Sequence, residues 1–272
     1  MFTVGLWPGR LQTGPVGVFV IAAAAFLSLA LAHINASPAT AAGSAGVRAD
    51  DDLGFADLSF GVKAGISFAQ HVGTMERDAD YEVSSNWRAG FAAGVFLAFP
   101  ITSRFSLQQE VLYVQKGSRQ AIGVEILDIP TVLDVTYDMD YIEIPVLFKF
   151  AWMKWEHSEF YSFAGTAMSL KVHDRYRLSG EVTDGEEVLP LHADSDMSEV
   201  DMFDFSFVYG FGLEFLMSGR TALLEYRFTM GWNTLAMPTY AYVPFEDEEI
   251  LIDNEPVPLK NQNHGIMLGI AF

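Results

Sequence analysis

The feature that most constrains the fold is a two-residue alternation in residues 203–217. Its odd positions are all apolar or aromatic: Phe203, Phe205, Phe207, Tyr209, Phe211, Leu213, Phe215 and Met217. Its even positions are mostly small or charged, and they include Asp204, Ser206, Gly210, Gly212 and Glu214. A strand places alternate side chains on opposite faces, whereas a helix would scatter these charges among the aromatic residues. The segment is therefore predicted to be a β-strand with one wholly apolar face.

The same alternation recurs along the chain. It is found in residues 59–70, 87–99, 105–116, 141–150, 160–172, 222–232 and 264–272, which makes eight predicted strands. Each is close to the length of a tilted transmembrane strand, about 9–11 residues. The apolar faces of the clear strands carry no charge, as lipid requires, because a charge there costs about 2–4 kcal/mol at the bilayer midplane. The pattern predicts an all-β, antiparallel, up-and-down transmembrane barrel.

The connections between these strands alternate in length. Long segments at 71–86, 117–136, 173–202 and 233–263 alternate with short ones at 100–103, 153–159 and 218–219. An up-and-down barrel in an outer membrane has short turns on the periplasmic side and long loops outside. The order predicts that both termini are periplasmic.

The amino-terminal segment is not expected to be part of the barrel. Residues 17–32 read GVFVIAAAAFLSLALA without a charge, and Ala39-Thr40-Ala41 follows as an A-x-A cleavage pattern. We interpret residues 1–41 as a signal peptide, residues 42–57 as a short periplasmic segment and residues 58–272 as the barrel. A single membrane anchor is the alternative, because the apolar run is near the lower limit of about 17–25 residues for a spanning helix.

Charged residues also occur on the faces predicted to line the lumen. They are Lys63, Arg88, Glu110, Glu143, Lys149, Glu214, Glu225 and Arg227. An eight-stranded barrel has room inside only for side chains, and an unpaired buried charge is very costly. We therefore predict a plugged lumen with an ion-pair network. The alternatives are an ion or proton path, or paired catalytic carboxylates.

The chain is strongly acidic, with a formal charge of 16 − 35 = −19. Removing residues 1–41 removes one arginine and no acid, which leaves 15 − 35 = −20. This balance argues against nucleic acid as a partner. Carboxylates concentrate in two predicted loops, where the candidate ligands for a divalent cation are Asp194, Asp196, Glu246, Asp247, Glu248 and Glu249. The alternative is a pair of solvated, mutually repelling loops.

No further cofactor chemistry is indicated. The chain has no cysteine, and no two histidines have metal-ligand spacing. We predict neither a metal centre nor a cofactor.

The carboxyl terminus closes an amphipathic strand. Phe272 follows Ile270 and Leu268 on one face of the last predicted strand. A terminal aromatic residue in this setting is typical of the assembly signal of outer-membrane barrels. The expected partners are therefore outer-membrane lipid and the barrel-assembly machinery, with divalent cations or a protein partner at the loops.

Several local patterns resemble the PorT-like outer-membrane β-barrel domain family. The more specific ones are E-x-x-Y-x-x-K-G, beginning at Glu110, and Y-I-E-I-P, beginning at Tyr141. The resemblance extends from residue 58 to the carboxyl terminus. It implies an eight-stranded barrel of the OmpA and OmpX type in the bacterial outer membrane, and it assigns no activity.

The leading functional hypothesis is a non-enzymatic barrel that supports envelope integrity or presents its acidic loops to a partner. An outer-membrane enzyme with a site at the rim, built on His173 or His264 and loop acids, is one alternative. A soluble lipocalin-like carrier is another.

Overall fold

The computed structural model describes residues 58–73, 83–126, 129–184, 187–197, 200–237, 240–245, 248–253 and 257–272. Within these ranges, no helix is long and apolar enough to cross a membrane. The strands are β1 (Ser59–Val72), β2 (Val83–Asn86), β3 (Arg88–Pro100), β4 (Phe105–Ile126), β5 (Ile129–Lys154), β6 (Ser158–Asp184), β7 (Glu187–Ser195), β8 (Phe203–Met217), β9 (Arg220–Gly231), β10 (Leu235–Met237), β11 (Tyr240–Phe245), β12 (Glu248–Asp253) and β13 (Val257–Ala271). The predicted signal peptide and the predicted segment 42–57 lie outside the described residues.

Eight of these strands form a closed antiparallel barrel in the order β1-β3-β4-β5-β6-β8-β9-β13. Pairing of β13 with β1 closes the ring, with Gly61 opposite Ala271 and Ser67 opposite Gly265. Each strand pairs with its neighbours in the chain order of the barrel, so the topology is up-and-down. The all-β barrel predicted from the alternation is confirmed.

The two faces of each strand meet different surroundings. On β1, Lys63 and Ser67 point inward and are buried, whereas Phe60 and Ile66 are exposed on the outside. The exposed apolar positions of β1 end at Phe68, and the next outward residues are half-buried. Aromatic pairs flank the outer surface at both ends, for example Phe105 with Phe150 at the short-turn end, 4.7 Å apart. This distribution is what lipid outside and a narrow interior require.

The short connections lie at one end of the barrel, called the lower end here. The tightest joins β8 to β9 through Ser218 and Gly219, whose φ angles are 52° and 79°. Two residues with positive φ make the hairpin turn whose twist matches that of the flanking strands. The predicted turn at this position is thus a two-residue hairpin.

The upper end differs from the prediction of long loops. β4 and β5 continue as a paired hairpin to Ile126 and Ile129, and β6 continues to Asp184 before pairing with β7. The physical reason is that the two-residue alternation does not stop at the membrane boundary. Leu133 and Val135 point inward and are buried, but Asp134 between them is exposed and faces water instead of lipid.

The upward extension encloses a second core. We call it the outer core, and its members are Leu133, Val135, Tyr137, Met139, Tyr141, Tyr176, Leu178, Val182, Leu191, Ala193, Met197, Val200, Leu235, Met237 and Leu259. All are buried apolar or aromatic residues from β5, β6, β7, β10, β13 and the segment after β7. The outer core packs beside buried polar side chains of β1 and β4, among them His71, Ser118 and Gln120, so the upper interior is filled by apolar and polar groups together.

Candidate functional site in the barrel lumen

The charged residues of the lumen fall into two clusters. The lower cluster consists of Lys63, Glu110, Lys149, Glu214, Glu225 and Arg227, and the upper cluster consists of Lys116, Glu143 and Asp204 together with the neutral Asn261. Inward-facing positions of six different barrel strands supply them. The two clusters are stacked along the barrel axis, beneath the outer core.

Lys63 is central to the lower cluster. Its Nζ lies 2.8 Å from Glu110 Oε1 and 2.6 Å from Glu225 Oε2, and all three side chains are fully buried. Glycines occupy the paired positions on both neighbouring strands, Gly94 on β3 and Gly269 on β13. Because glycine has no side chain, the long lysine has room inside a narrow barrel.

Arg227 supplies the second cation. Its Nη2 donates to Glu110 Oε2 at 2.7 Å and to Oε1 at 3.0 Å, and it lies 3.7 Å from Glu225 Oε2. It too is flanked by glycines, Gly210 on β8 and Gly265 on β13. Glu110 therefore lies between two cations, which offsets its desolvation on burial.

Lys149 and Glu214 complete the lower cluster at the short-turn end. Lys149 Nζ lies 2.6 Å from Glu214 Oε1 and 3.9 Å from the centre of the Tyr161 ring. The Tyr161 hydroxyl donates to Glu225 Oε1 at 2.8 Å. Among the described residues the lower cluster has three cations and three carboxylates, so its formal charge is 3 − 3 = 0.

The upper cluster contains residues outside the predicted network. Lys116 Nζ lies 2.5 Å from Glu143 Oε1, and Ser169 Oγ donates to the same oxygen at 3.3 Å. Asn261 Nδ2 donates to Asp204 Oδ2 at 2.9 Å. Sequence reasoning missed Lys116 as a lumen residue, although it is six positions after Glu110 and so on the same face of β4.

Arg88 lies outside both clusters, contrary to the prediction. Its Nε is 2.7 Å from Asp138 Oδ1, and its Nη1 donates to the carbonyl of Lys116 at 2.7 Å. Gly117, with φ of 132°, explains this position, because a Cβ there would lie 3.3 Å from Arg88 Cδ and 2.0 Å from the carbonyl of Tyr137. The glycine leaves room for the guanidinium to cross β4 and pair with β5 at the upper rim.

Asp194, one of the predicted cation ligands, is engaged in an ion pair. Arg175 donates to both of its carboxylate oxygens, from Nε at 2.7 Å and from Nη2 at 2.6 Å. These hydrogen bonds hold the pKa of the Asp194 carboxyl below its usual value. A cation at Asp194 would therefore compete with Arg175 for the same carboxylate oxygens.

Among the other predicted cation ligands, the structure describes a side chain only for Asp196. Asp196 is exposed just after β7. Glu248 and Glu249 begin β12, where only the backbone is described, and Glu246 and Asp247 lie outside the described residues. In the part of the chain that the structure describes, no three acidic or histidine side chains form a group able to hold a metal ion.

The two histidines considered for a rim site have different surroundings. His173 is exposed, whereas His264 faces the outside of the barrel, with its Nδ1 2.6 Å from the Tyr226 hydroxyl. The Trp87 and Phe228 rings lie 4.9 and 4.8 Å from the His264 ring. His264 is thus a member of an outward aromatic group.

The predicted assembly signal lies at the lower end of β13. The Phe272 amide donates to the carbonyl of Phe60 at 2.8 Å, and the two rings stack 5.4 Å apart. Leu268 is 65% exposed and Ile270 is half-buried on the outer face. The terminal aromatic residue is therefore anchored across the strand pair that closes the barrel.

A closed eight-stranded barrel with an apolar exterior and paired charges inside is an integral protein of the bacterial outer membrane. The chain belongs to the outer membrane protein beta-barrel domain family, whose model matches residues 44–236. No curated protein matches the chain.

Solved outer-membrane proteins are similar at low identity. OprG from Pseudomonas aeruginosa is 10% identical, with a TM-score of 0.38 over 79% of this chain and 95% of that one. Ail, the attachment invasion locus protein of Yersinia pestis, is 12% identical, with a TM-score of 0.32 over 79% and 98%. The outer membrane protease OmpT from Escherichia coli is 6% identical, with a TM-score of 0.33 over 79% and 96%. Similarities this remote carry no inference about activity.

Proposed function

We propose that this protein is a non-enzymatic outer-membrane barrel with a closed lumen. The observation that carries the proposal is the filling of the interior from end to end. Three paired cations and three carboxylates occupy the lower part, and the apolar outer core covers the upper part. Ions would have to break buried salt bridges and then displace the packed side chains of the upper interior, and both steps are costly.

Conductance measurements test this proposal. Protein folded in detergent and inserted into planar bilayers is expected to give no sustained single-channel current, and detergent without protein is the control. A stable, ion-selective open channel would overturn the closed lumen and make the lower cluster a conduction path.

The alternative of an enzyme has little support from the upper rim. Asp174 lies beside exposed His173 in the chain, but its carboxylate is paired with Lys171. A serine–histidine pair does occur, with Ser118 Oγ 2.7 Å from His71 Nδ1. Both residues are buried, which closes the pair to a lipid or peptide substrate. A panel of such substrates, with activity lost on substitution of His71 or His173, would establish an enzyme.

We further propose that the barrel supports envelope integrity or meets a protein partner or divalent cations through its acidic upper end. The net charge of the chain, −19, supports an electrostatic contribution. Calorimetric titration of the detergent-folded protein with Ca²⁺ tests the binding of divalent cations. Heat no larger than that of titrating Ca²⁺ into buffer alone would contradict such binding.

Closer placement in the PorT-like family rests on the two motifs beginning at Glu110 and Tyr141. In the structure these motifs place Glu110, Lys116 and Glu143 inside the barrel. Recognition of Phe272 by the barrel-assembly machinery and removal of a signal peptide also belong to this proposal. Deleting Phe272 should lower the amount of folded protein in the outer membrane, and unchanged assembly would contradict the assembly signal.

A further inference from the structure

Asp204 occupies an unusual position in the upper cluster. It is the second residue of β8, faces the lumen and is 0% exposed. Its Oδ2 accepts a hydrogen bond from Asn261, but Oδ1 has no hydrogen-bond partner among the described residues. An ionised carboxylate only accepts hydrogen bonds, so a buried oxygen without a donor is costly in the charged form.

The surroundings of Asp204 contain too few positive charges. Lys116 of β4 is the cation of the upper cluster, and it is already paired with Glu143 of β5 at 2.5 Å. With Asp204 ionised, the described residues of this cluster would carry 1 − 2 = −1. The lower cluster cannot supply the missing charge, because its own three cations are matched by three carboxylates.

The other polar groups packed around the upper cluster do not change this count. Ser169 of β6 lies opposite Asp204, and Asn261 of β13 and Tyr141 of β5 complete the cluster without a cation. His71 lies beyond the lipid-facing part of β1. Burial lowers the pKa of His71 to about 4, so it is uncharged at neutral pH.

We propose that Asp204 carries a proton in the folded barrel, so that the upper cluster is a proton-binding site inside the lumen. A buried carboxyl without a partner cation is more stable neutral than charged. The proton comes from solvent and binds one carboxylate oxygen, so the upper cluster becomes neutral, with Lys116 matched by Glu143 alone.

The neighbouring side chains on the inner wall suit a protonated carboxyl. The next inward residue of β8 is Ser206, and Thr229 of β9 is also inward and buried. Neither hydroxyl has a hydrogen-bond partner in the described part of the chain. Each hydroxyl can accept a hydrogen bond as well as donate one, so a protonated Asp204 becomes a further donor on a wall with two unused acceptors.

This inference rests on the proposed closed lumen, and it predicts that the stability of the folded barrel depends on pH. Asp in an unfolded chain is ionised at neutral pH, so folding takes up one proton. Stability is then expected to fall as pH rises, by up to about tenfold in the folded-to-unfolded ratio per pH unit for one proton. The other acids of the chain titrate as well, so the quantity to measure is the difference from a variant that lacks this proton.

Asp204→Asn provides that variant, because an amide has the shape of a protonated carboxyl and no charge. Unfolding midpoints in urea would be measured for the detergent-folded full chain between pH 6 and 9. We expect Asp204→Asn to be at least as stable as wild type at pH 8.5, with a flatter pH dependence. Glu143→Gln is the matched control and should lower the midpoint most at the low end of this pH range, where Asp204 is protonated and Lys116 has no carboxylate to balance it.

Two results would overturn the proposal. One is a loss of stability in Asp204→Asn as large as in Glu143→Gln, or a pH dependence unchanged from wild type. The other is a stabilisation of wild type by NaCl or KCl over choline chloride at equal ionic strength, absent in Asp204→Asn, which would assign the missing charge to an alkali ion. A conducting wild type would instead refute the closed lumen, and the bilayer measurement detects that separately.

Discussion

Replacing Arg227 with alanine is the sharpest test of the paired lumen. The guanidinium gives Glu110 two hydrogen bonds, at 2.7 and 3.0 Å, and its side chain is 4% exposed. Without it, Lys63 and Lys149 face three carboxylates, and the lower cluster carries 2 − 3 = −1. Stranding a buried charge costs about 3–5 kcal/mol. The free energy of unfolding, from urea titration of the detergent-folded barrel, should fall by that amount.

Arg177→Ala is the matched control, because Arg177 also pairs with a carboxylate, that of Asp138, but is 50% exposed. An exposed pair contributes about 0–1 kcal/mol. The double variant Arg227→Ala with Glu110→Gln removes the stranded charge and should recover part of the lost stability. If Arg227→Ala costs no more than Arg177→Ala, or if the second change brings no recovery, the argument from buried charge is wrong.

Three further predictions concern processing, lipid contact and the upper rim. Amino-terminal sequencing of the membrane-fraction protein should begin near Ala42, and recovery of the intact amino terminus there would contradict a signal peptide. Phe207→Arg places a charge on the lipid face, where Phe207 is 46% exposed, at about 2–4 kcal/mol if it lies near the midplane. It should reduce heat-modifiable folded protein on gels, whereas Glu248→Lys should not, and equal folding of both would count against the outward orientation. Gly117→Ala should lower the urea midpoint more than Gly219→Ala, because a Cβ at Gly117 meets a backbone carbonyl at 2.0 Å and one at Gly219 meets nothing. Similar losses in both would show that the carbonyl moves aside.

The two-residue alternation predicts the barrel because one physical rule holds in every spanning segment: alternate side chains of a strand lie on opposite faces. The same rule placed Lys63 and Glu225 in the lumen before their partners were known. Which charges meet depends on the stagger between strands that face each other across the barrel, and local patterns do not carry that information. The sequence therefore could not predict the split into two clusters. It could have predicted that Lys116 faces the lumen, because Lys116 is an even number of positions from Glu110 on the same strand.

The upper hairpins were missed for a different reason. The sequence predicts a long connection over residues 117–136, where the structure has the paired strands β4 and β5. A spanning strand requires an apolar outer face, and Asp134 in this segment and Asp138 after it do not meet that requirement. That requirement applies only within lipid; beyond it the outward positions of a strand are hydrated and accept acids. Val135 and Tyr137, on the inward face between and beside these acids, are buried in the outer core.

The glycines connect these observations. Lys63 lies between Gly94 and Gly269, and Arg227 lies between Gly210 and Gly265, so each long cation has an empty position on both sides. The other two lumen cations are placed differently, because Lys116 is paired with Met139 and Lys149 with Phe163. Glycines on both sides therefore make room for Lys63 and Arg227, whereas Lys116 and Lys149 lie over the rings of Tyr141 and Tyr161. In the upper cluster the cation Lys116 is paired with Glu143, and Asp204 is the remaining carboxylate, for which we propose protonation.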